Sequence, residues 1–171
     1  PLSVRDRKDC DASRWLPSNQ AQYTLLTTGL RLAARRGMAG FRRFEDIEAW
    51  QLATELKQLA DALLAKPEVT HRLKFCDQLS DSARSGPRNI AEGFARFKHK
   101  EFAYFVRIAK GSESEVLNHF IDAREQQLLS DQEFSQVESI AKRAMGAATG
   151  LIRFLESTPD PPWPKRKPRS T

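Results

Sequence analysis

The sequence is poor in the residues from which most catalytic and metal centres are built. Its 171 residues include two cysteines, three histidines and two methionines. Cys10 and Cys76 make neither a disulfide framework nor a zinc ligand set. Cys76, at an apolar helical position, reads as a small buried hydrophobe. His71, His99 and His119 are scattered. Glu115 and His119 stand one turn apart, but the Glu-x-x-His pair that a di-iron bundle repeats on two helices is missing. No serine or cysteine has a base at a spacing that suggests nucleophilic catalysis, and no glycine-rich loop with a lysine is present to cradle a phosphate. No apolar run approaches the roughly 20 residues that span a bilayer, and the N-terminus shows no uninterrupted apolar h-region. Strand-like alternation and solenoid periods are missing too. These shortages point away from an enzyme, from a metal or other cofactor and from a membrane partner. A helical protein of the reducing cytoplasm is expected.

Charge is present but unevenly placed. The formal net charge is +6. Residues 1–43 hold nine Lys/Arg and three Asp, residues 157–171 four Lys/Arg and one Asp, and residues 44–156 fifteen basic against eighteen acidic side chains. The middle is mildly acidic, so net charge alone argues only weakly for a nucleic-acid partner. Residues 1–43 lack a sustained apolar period and read as a basic leader, disordered or non-native, with Met38 as the natural start; a genuine basic arm is the alternative. From Thr158 five prolines forbid a helix, and 158–171 reads as a flexible basic tail. The folded domain is expected over 44–157, long enough to bury a core. A chain trimmed to residues 38–157 should then melt within a few degrees of the full one.

Four helices fill that span. The first is predicted over Glu45–Ala65, with Ile47, Trp50, Ala53, Leu56, Ala60 and Leu63 on one stripe and Pro67 beyond its end. The second is predicted over His71–Phe97, with Leu73, Cys76, Leu79, Ala83, Ile90, Phe94 and Phe97 facing inward. The third runs from Lys98 to about Leu128 through Phe102, Phe105, Ala109, Ser112, Val116, Phe120 and Ala123. Gly111 and Ser112 fall inside it, where a small residue suggests the close approach of another helix. Ser130 and Glu133 have capping-box spacing, and open a fourth helix to about Glu156 along Phe134, Val137, Ala141, Ala144, Ala148, Leu151 and Leu155. The fold class is therefore all-α: an antiparallel up-down four-helix bundle with flexible extensions at both ends. Leu52, Leu64, Val106 and Ile152 lie beside the main stripes and read as apolar surface left for contacts between subunits.

The stretch 82–112 organises the rest. Pro87 has no amide hydrogen and clashes with the turn before it, so the second helix is expected to kink or restart at Gly86-Pro87. Asn89 follows, placed to bond backbone groups freed there. Arg84, Arg88, Arg96, Lys98, Lys100, Arg107 and Lys110 stand against only Glu92 and Glu101 between residues 84 and 110. Phe94, Phe97, Phe102, Tyr104 and Phe105 are interleaved. One reading is a groove where cations meet phosphates and a ring stacks on a base; the other is a solvated face over core aromatics. Tyr104 lies off the apolar stripe and is the candidate exposed ring. Glu92 and Glu115 are candidate partners for Arg84, Arg88 or Arg107 across neighbouring helices, fixing register.

Asn89-Ile90-Ala91-Glu92-Gly93-Phe94, then Lys100-Glu101-Phe102, then F-x-x-I-A-x-G-S-x-x-E over 105–115 complete a pattern that begins at Phe44-Glu45-Asp46-Ile47 and Trp50. This pattern resembles the small four-helix-bundle proteins encoded in intervening sequences of bacterial large-subunit (23S) rRNA genes. The accessory variability protein of diversity-generating retroelements is a relative of that family. The resemblance runs from about Phe44 to Leu155. It departs at Gly86-Pro87-Arg88 and at Val116-Leu117-Asn118-His119. It implies a homo-oligomer, a ring of five, that binds RNA or DNA with a protein partner such as a reverse transcriptase. A purely structural or protein-interaction bundle is the alternative.

Overall fold

The computed structural model describes residues 41–96 and 98–160. The expectations for the leader up to residue 40, for Phe97 and for 161–171 lie outside the described residues. Within them the chain is helical, with no strand. Four long helices, α1 (Glu48–Leu64), α2 (Leu73–Phe94), α3 (His99–Glu125) and α4 (Asp131–Ser157), are joined by short connections. Each packs on the next, and α4 returns to α1, while α1 and α3 barely touch. The core therefore lies between all four, and every helix has two flanking neighbours.

The start of α1 differs from the expectation. Phe44–Asp46 forms one 3-10 turn, and Ile47 is extended, so the α-helix begins at Glu48 rather than Glu45. The Gln51 side-chain amide donates to the Glu45 carbonyl at 2.8 Å, and Phe44 packs edge-on against Trp50. Both contacts hold the turn down. Ala49, Leu52, Ala53, Leu56, Ala60 and Leu63 make the buried stripe, with Trp50 half-buried beside it. Pro67 takes the first position of a single helical turn, Pro67–Thr70, where its missing N–H costs nothing.

In α2 the buried positions are mostly small: Ser82, Ala83, Gly86, Pro87 and Gly93 alongside Leu79 and Ile90. Small side chains let α1 and α3 approach. Leu73, expected inside, is 64% exposed, because it sits in the first turn, before the helix reaches the core. The helix does not restart at Pro87; it is helical on both sides.

On α3, Phe102, Ala103, Val106, Ala109, Val116, Phe120 and Ala123 are buried, together with Ser112 and Glu113. Gly111 is not a point of close approach, since a Cβ there would meet nothing within 4 Å. It lies on the side opposite the Ala109–Glu113 stripe. The close approach occurs instead at Gly93, where a Cβ would stand 2.5 Å from the Phe102 ring and 2.8 Å from Phe105 Cβ. Leu52 (4% exposed) and Val106 (fully buried) belong to the core rather than to a surface awaiting a subunit. A helix with two flanking neighbours buries a wider stripe than a single seam allows.

The α3–α4 connection closes locally. Gln127 takes a left-handed conformation, φ 58°, and the Leu128 N–H donates to the Ala123 carbonyl at 2.9 Å, which ends α3 in the usual way for a left-handed cap. Ser130 and Glu133 form the expected capping box. Lys66 reaches across from the end of α1 to the Leu128 carbonyl and the Glu133 carboxylate. At the opposite end, the His99 N–H donates to Asp160 Oδ1 at 2.7 Å, so contacts with the bundle continue past Ser157. No helix among the described residues is long and apolar enough to cross a membrane.

Candidate nucleic-acid interface

The cations of the 84–110 segment do not form one patch. Helix geometry divides them among three places.

The first is a groove of about 340 Å³ between α1 and α2. Trp50, Thr54 and Lys57 recur at helical spacing on α1, and Arg84, Pro87, Arg88 and Ala91 on the facing stripe of α2. Pro87 and Ala91 give an apolar floor, the Trp50 indole a wall, and Lys57, Arg84 and Arg88 the cations. Arg84 donates to the Ser80 hydroxyl. Among the described residues neither Arg84 nor Arg88 is within ion-pair distance of a carboxylate, whereas Lys57 pairs with Asp61 at 2.5 Å. The Thr54 hydroxyl is buried here without a hydrogen-bond partner.

The second place is the end of the bundle where α2 passes into α3. Arg96 pairs with Glu92 one turn earlier at 2.6 Å, and its guanidinium lies 4.9 Å from the Phe105 ring centre. Both contacts fix its direction. Lys98 and Lys100 are exposed nearby in sequence, with no carboxylate partner among the described residues. Tyr104 follows on α3, 60% exposed, its ring edge-on to Phe105 at 5.7 Å.

The third place is the seam between α3 and α4, where Arg107 pairs with Glu156. Lys110 follows one turn along α3, half-buried. Because α1 and α3 are diagonal, this seam lies across the bundle from the groove.

The expected cross-helix carboxylate pairs take different partners. Glu92 bonds Arg96 just past the end of its own helix, and Glu115 lies 4.0 Å from His119 Nε2 rather than beside Arg84, Arg88 or Arg107. Helix spacing brings i and i+4 residues together, and these local partners win over distant arginines. Asn89 donates to the Ser85 carbonyl at 2.8 Å and to Ser85 Oγ at 3.0 Å, and Ser112 donates to Ser85 Oγ at 2.8 Å. The carbonyl that Pro87 deprives of its i+4 donor is that of Ala83, so Asn89 does not replace that bond but supports, through Ser85, the α2–α3 contact.

Three residues stand out only in the structure: Trp50, Lys57 and Glu113. Periodicity placed Trp50 on the core stripe and gave no sign that it would meet Arg84 and Arg88, since that meeting depends on which helices are neighbours. Glu113 is 2% exposed, and neither carboxyl oxygen has a partner. Burial pushes its carboxyl up to about 8, with Lys110 pulling weakly the other way. Among the described residues no cluster of three metal-ligating side chains occurs.

The family model described as 23S rRNA-intervening sequence protein matches residues 45–149. No curated protein matches the chain.

Proposed function

This chain belongs to the 23S rRNA-intervening sequence protein family, and from that premise we propose that it is a non-enzymatic, oligomeric four-helix bundle that binds RNA or DNA through its basic surface. The observation that carries this reading is that, within the 84–110 segment, the exposed cations Arg84 and Arg88 on α2 and Lys98 and Lys100 at the α2–α3 end have no carboxylate partner among the described residues. Unpaired cations are available to release counterions from phosphates, which supplies most sequence-independent affinity. The segment has no recognition-helix, zinc-finger or aromatic-sheet signature, so binding is driven by charge and shape.

Several finer features belong to the same reading. The helices run up and down, each antiparallel to the next, which is supported by the meeting of Phe44 with Phe94, Arg72 with Gln126 and Lys66 with Glu133. Helix α2 bends at Pro87, where one backbone hydrogen bond is lost. The resemblance supplies a homopentamer, a relation to the accessory variability protein of diversity-generating retroelements, and a reverse transcriptase or other protein as partner. A ring would repeat each basic site once per subunit and multiply weak contacts into avidity. Scarce cysteine supports a cytoplasmic setting.

The test uses a chain trimmed to residues 38–160, without most of the basic ends. It should bind unrelated single-stranded oligonucleotides with a steep dependence on salt. Replacing Arg96, Lys98 and Lys100 by alanine should weaken binding about equally for all sequences and lower the salt slope by roughly one unit per lost phosphate contact. Absence of binding by the trimmed parent would leave the protein-interaction bundle as the reading, and unchanged binding by the triple variant would remove the α2–α3 end from the contact. Light scattering on the same sample reads the subunit number, and a monomer across micromolar concentrations would remove the ring.

A further inference from the structure

We propose that the groove between α1 and α2 is a subsite for one nucleotide unit of a single strand, with the base against Trp50 and its phosphates on Arg84, Arg88 and Lys57. This rests on the nucleic-acid reading above and adds a place and a binding mode to it.

The argument begins with shape. Two facing helical stripes line a shallow, open groove of about 340 Å³, at the small end of ligand-binding clefts. That is room for one planar group. The floor is apolar, from Pro87 and Ala91, and Arg84 and Arg88 stand over it, so a cationic side chain would lose hydration there without recovering a partner. An aromatic base loses little, and gains an indole wall. Pro87 also keeps this stretch of α2 free of a bulky flexible side chain, which leaves the floor open beneath Arg84 and Arg88.

Charge then selects among aromatic ligands. Arg84 and Arg88 stand one turn apart, and Lys57 faces them from α1. Among the described residues the two arginines have no carboxylate to satisfy them. Guanidinium groups match phosphate oxygens in a bidentate fork. Tyr104 and the Lys98–Lys100 pair do not line this groove. The site that combines a ring, an apolar floor and unpaired cations is therefore the groove.

The full-length protein is tested with two probes of equal length, single-stranded oligo-dT and an abasic deoxyribose-phosphate chain. The unaltered protein should bind oligo-dT several-fold more tightly, as base stacking on an aromatic side chain requires. Arg84→Gln with Arg88→Gln, both on exposed positions, should melt like the parent and lose about tenfold or more in affinity for both probes. Trp50→Leu should abolish the preference for oligo-dT and leave abasic binding unchanged. Should Trp50→Leu fail to fold, the parent's preference and the arginine variant still decide. Equal binding of the two probes by the parent overturns the base subsite. Parent-like binding by the folded arginine variant also overturns it, while the broader nucleic-acid reading stands. If the parent binds neither probe, both fall.

Discussion

Glu113 on α3 packs beside Gly86 on α2: a Cβ on Gly86 would stand at ordinary contact distance, 3.7 Å from Glu113 Cγ and 3.6 Å from Ala53 Cβ. The carboxyl is thus enclosed where three helices meet, with neither oxygen hydrogen-bonded. Burying a carboxylate in this way is costly, and the group responds by holding its proton.

A pH dependence of stability follows. The unfolded carboxyl releases its proton near 4.5 and the folded one near 8. Between these values the folded state binds the extra proton, so stability falls as pH rises through that window and levels off above it. The loss is on the order of a few kcal/mol. Glu113→Gln keeps the shape and removes the titration. Urea denaturation of parent and variant should nearly coincide at about pH 5, while at about pH 9 the variant should be the more stable. Equal pH slopes would show that the carboxyl ionises in contact with water.

Glu113 also marks where sequence reading runs out. The helices were legible because apolar spacing is local, and so was the Ser130–Glu133 cap, whose two partners lie within one turn. Leu52 and Val106 were misplaced because a single-stripe template ignores the second flanking neighbour. Gly111 was misread because an interior glycine looks alike on either face of a helix. The basic cluster was visible as a count along the chain, but its division into groove, bundle end and α3–α4 seam depends on how α2 and α3 are rotated against α1 and α4. The partnership of Trp50 with Arg84 and Arg88 has no local signal at all.

Glu133 ties two elements together and gives a second, opposite dependence. The Lys66 ammonium and the Ser130 N–H hold its carboxyl down to about 2. Its contribution is therefore present above about 4.5 and fades as pH falls toward 2. The side chain is largely exposed, so solvent screens the ion pair and the effect is small. Glu133→Ala should cost about 1 kcal/mol through the lost cap. Glu133→Gln, which can still cap, should cost less. Thermal melts near neutral pH should rank parent, Gln and Ala in that order, and the gap between parent and Gln should shrink in acid.

Asp160 caps α3 from a distant part of the chain. Its carboxylate accepts the His99 N–H, and the His99 ring lies 3.1 Å from the Thr158 carbonyl. This helix start has no side-chain cap of its own, and a carboxylate there also meets the positive end of the helix dipole. Asp160→Ala should cost about 1 kcal/mol and speed hydrogen exchange in the first turn of α3. Trimming after Ser157 should reproduce that loss, whereas trimming after Asp160 should not. Identical exchange in all three would show that α3 starts without this cap.

Two glycines on neighbouring helices should respond in opposite directions to the same substitution. At Gly93 an added methyl would meet the Phe102 ring at 2.5 Å and Phe105 Cβ at 2.8 Å. Both belong to a packed wall, since Phe102 also meets Phe94 edge-on at 6.2 Å. Relief requires α2 and α3 to separate, and overpacking of this kind costs about 1–3 kcal/mol. At Gly111 the same methyl meets nothing within 4 Å, and alanine is the better helix former by roughly 0.8–1.0 kcal/mol. Gly93→Ala should therefore lower the denaturation midpoint and Gly111→Ala should raise it. Stabilisation by both would mean that the α2–α3 contact at Gly93 is looser than the packing of Phe102 and Phe105 implies. Destabilisation by both would mean that Gly111 meets another chain, which is the close approach that an interior glycine suggests and that a single bundle does not contain.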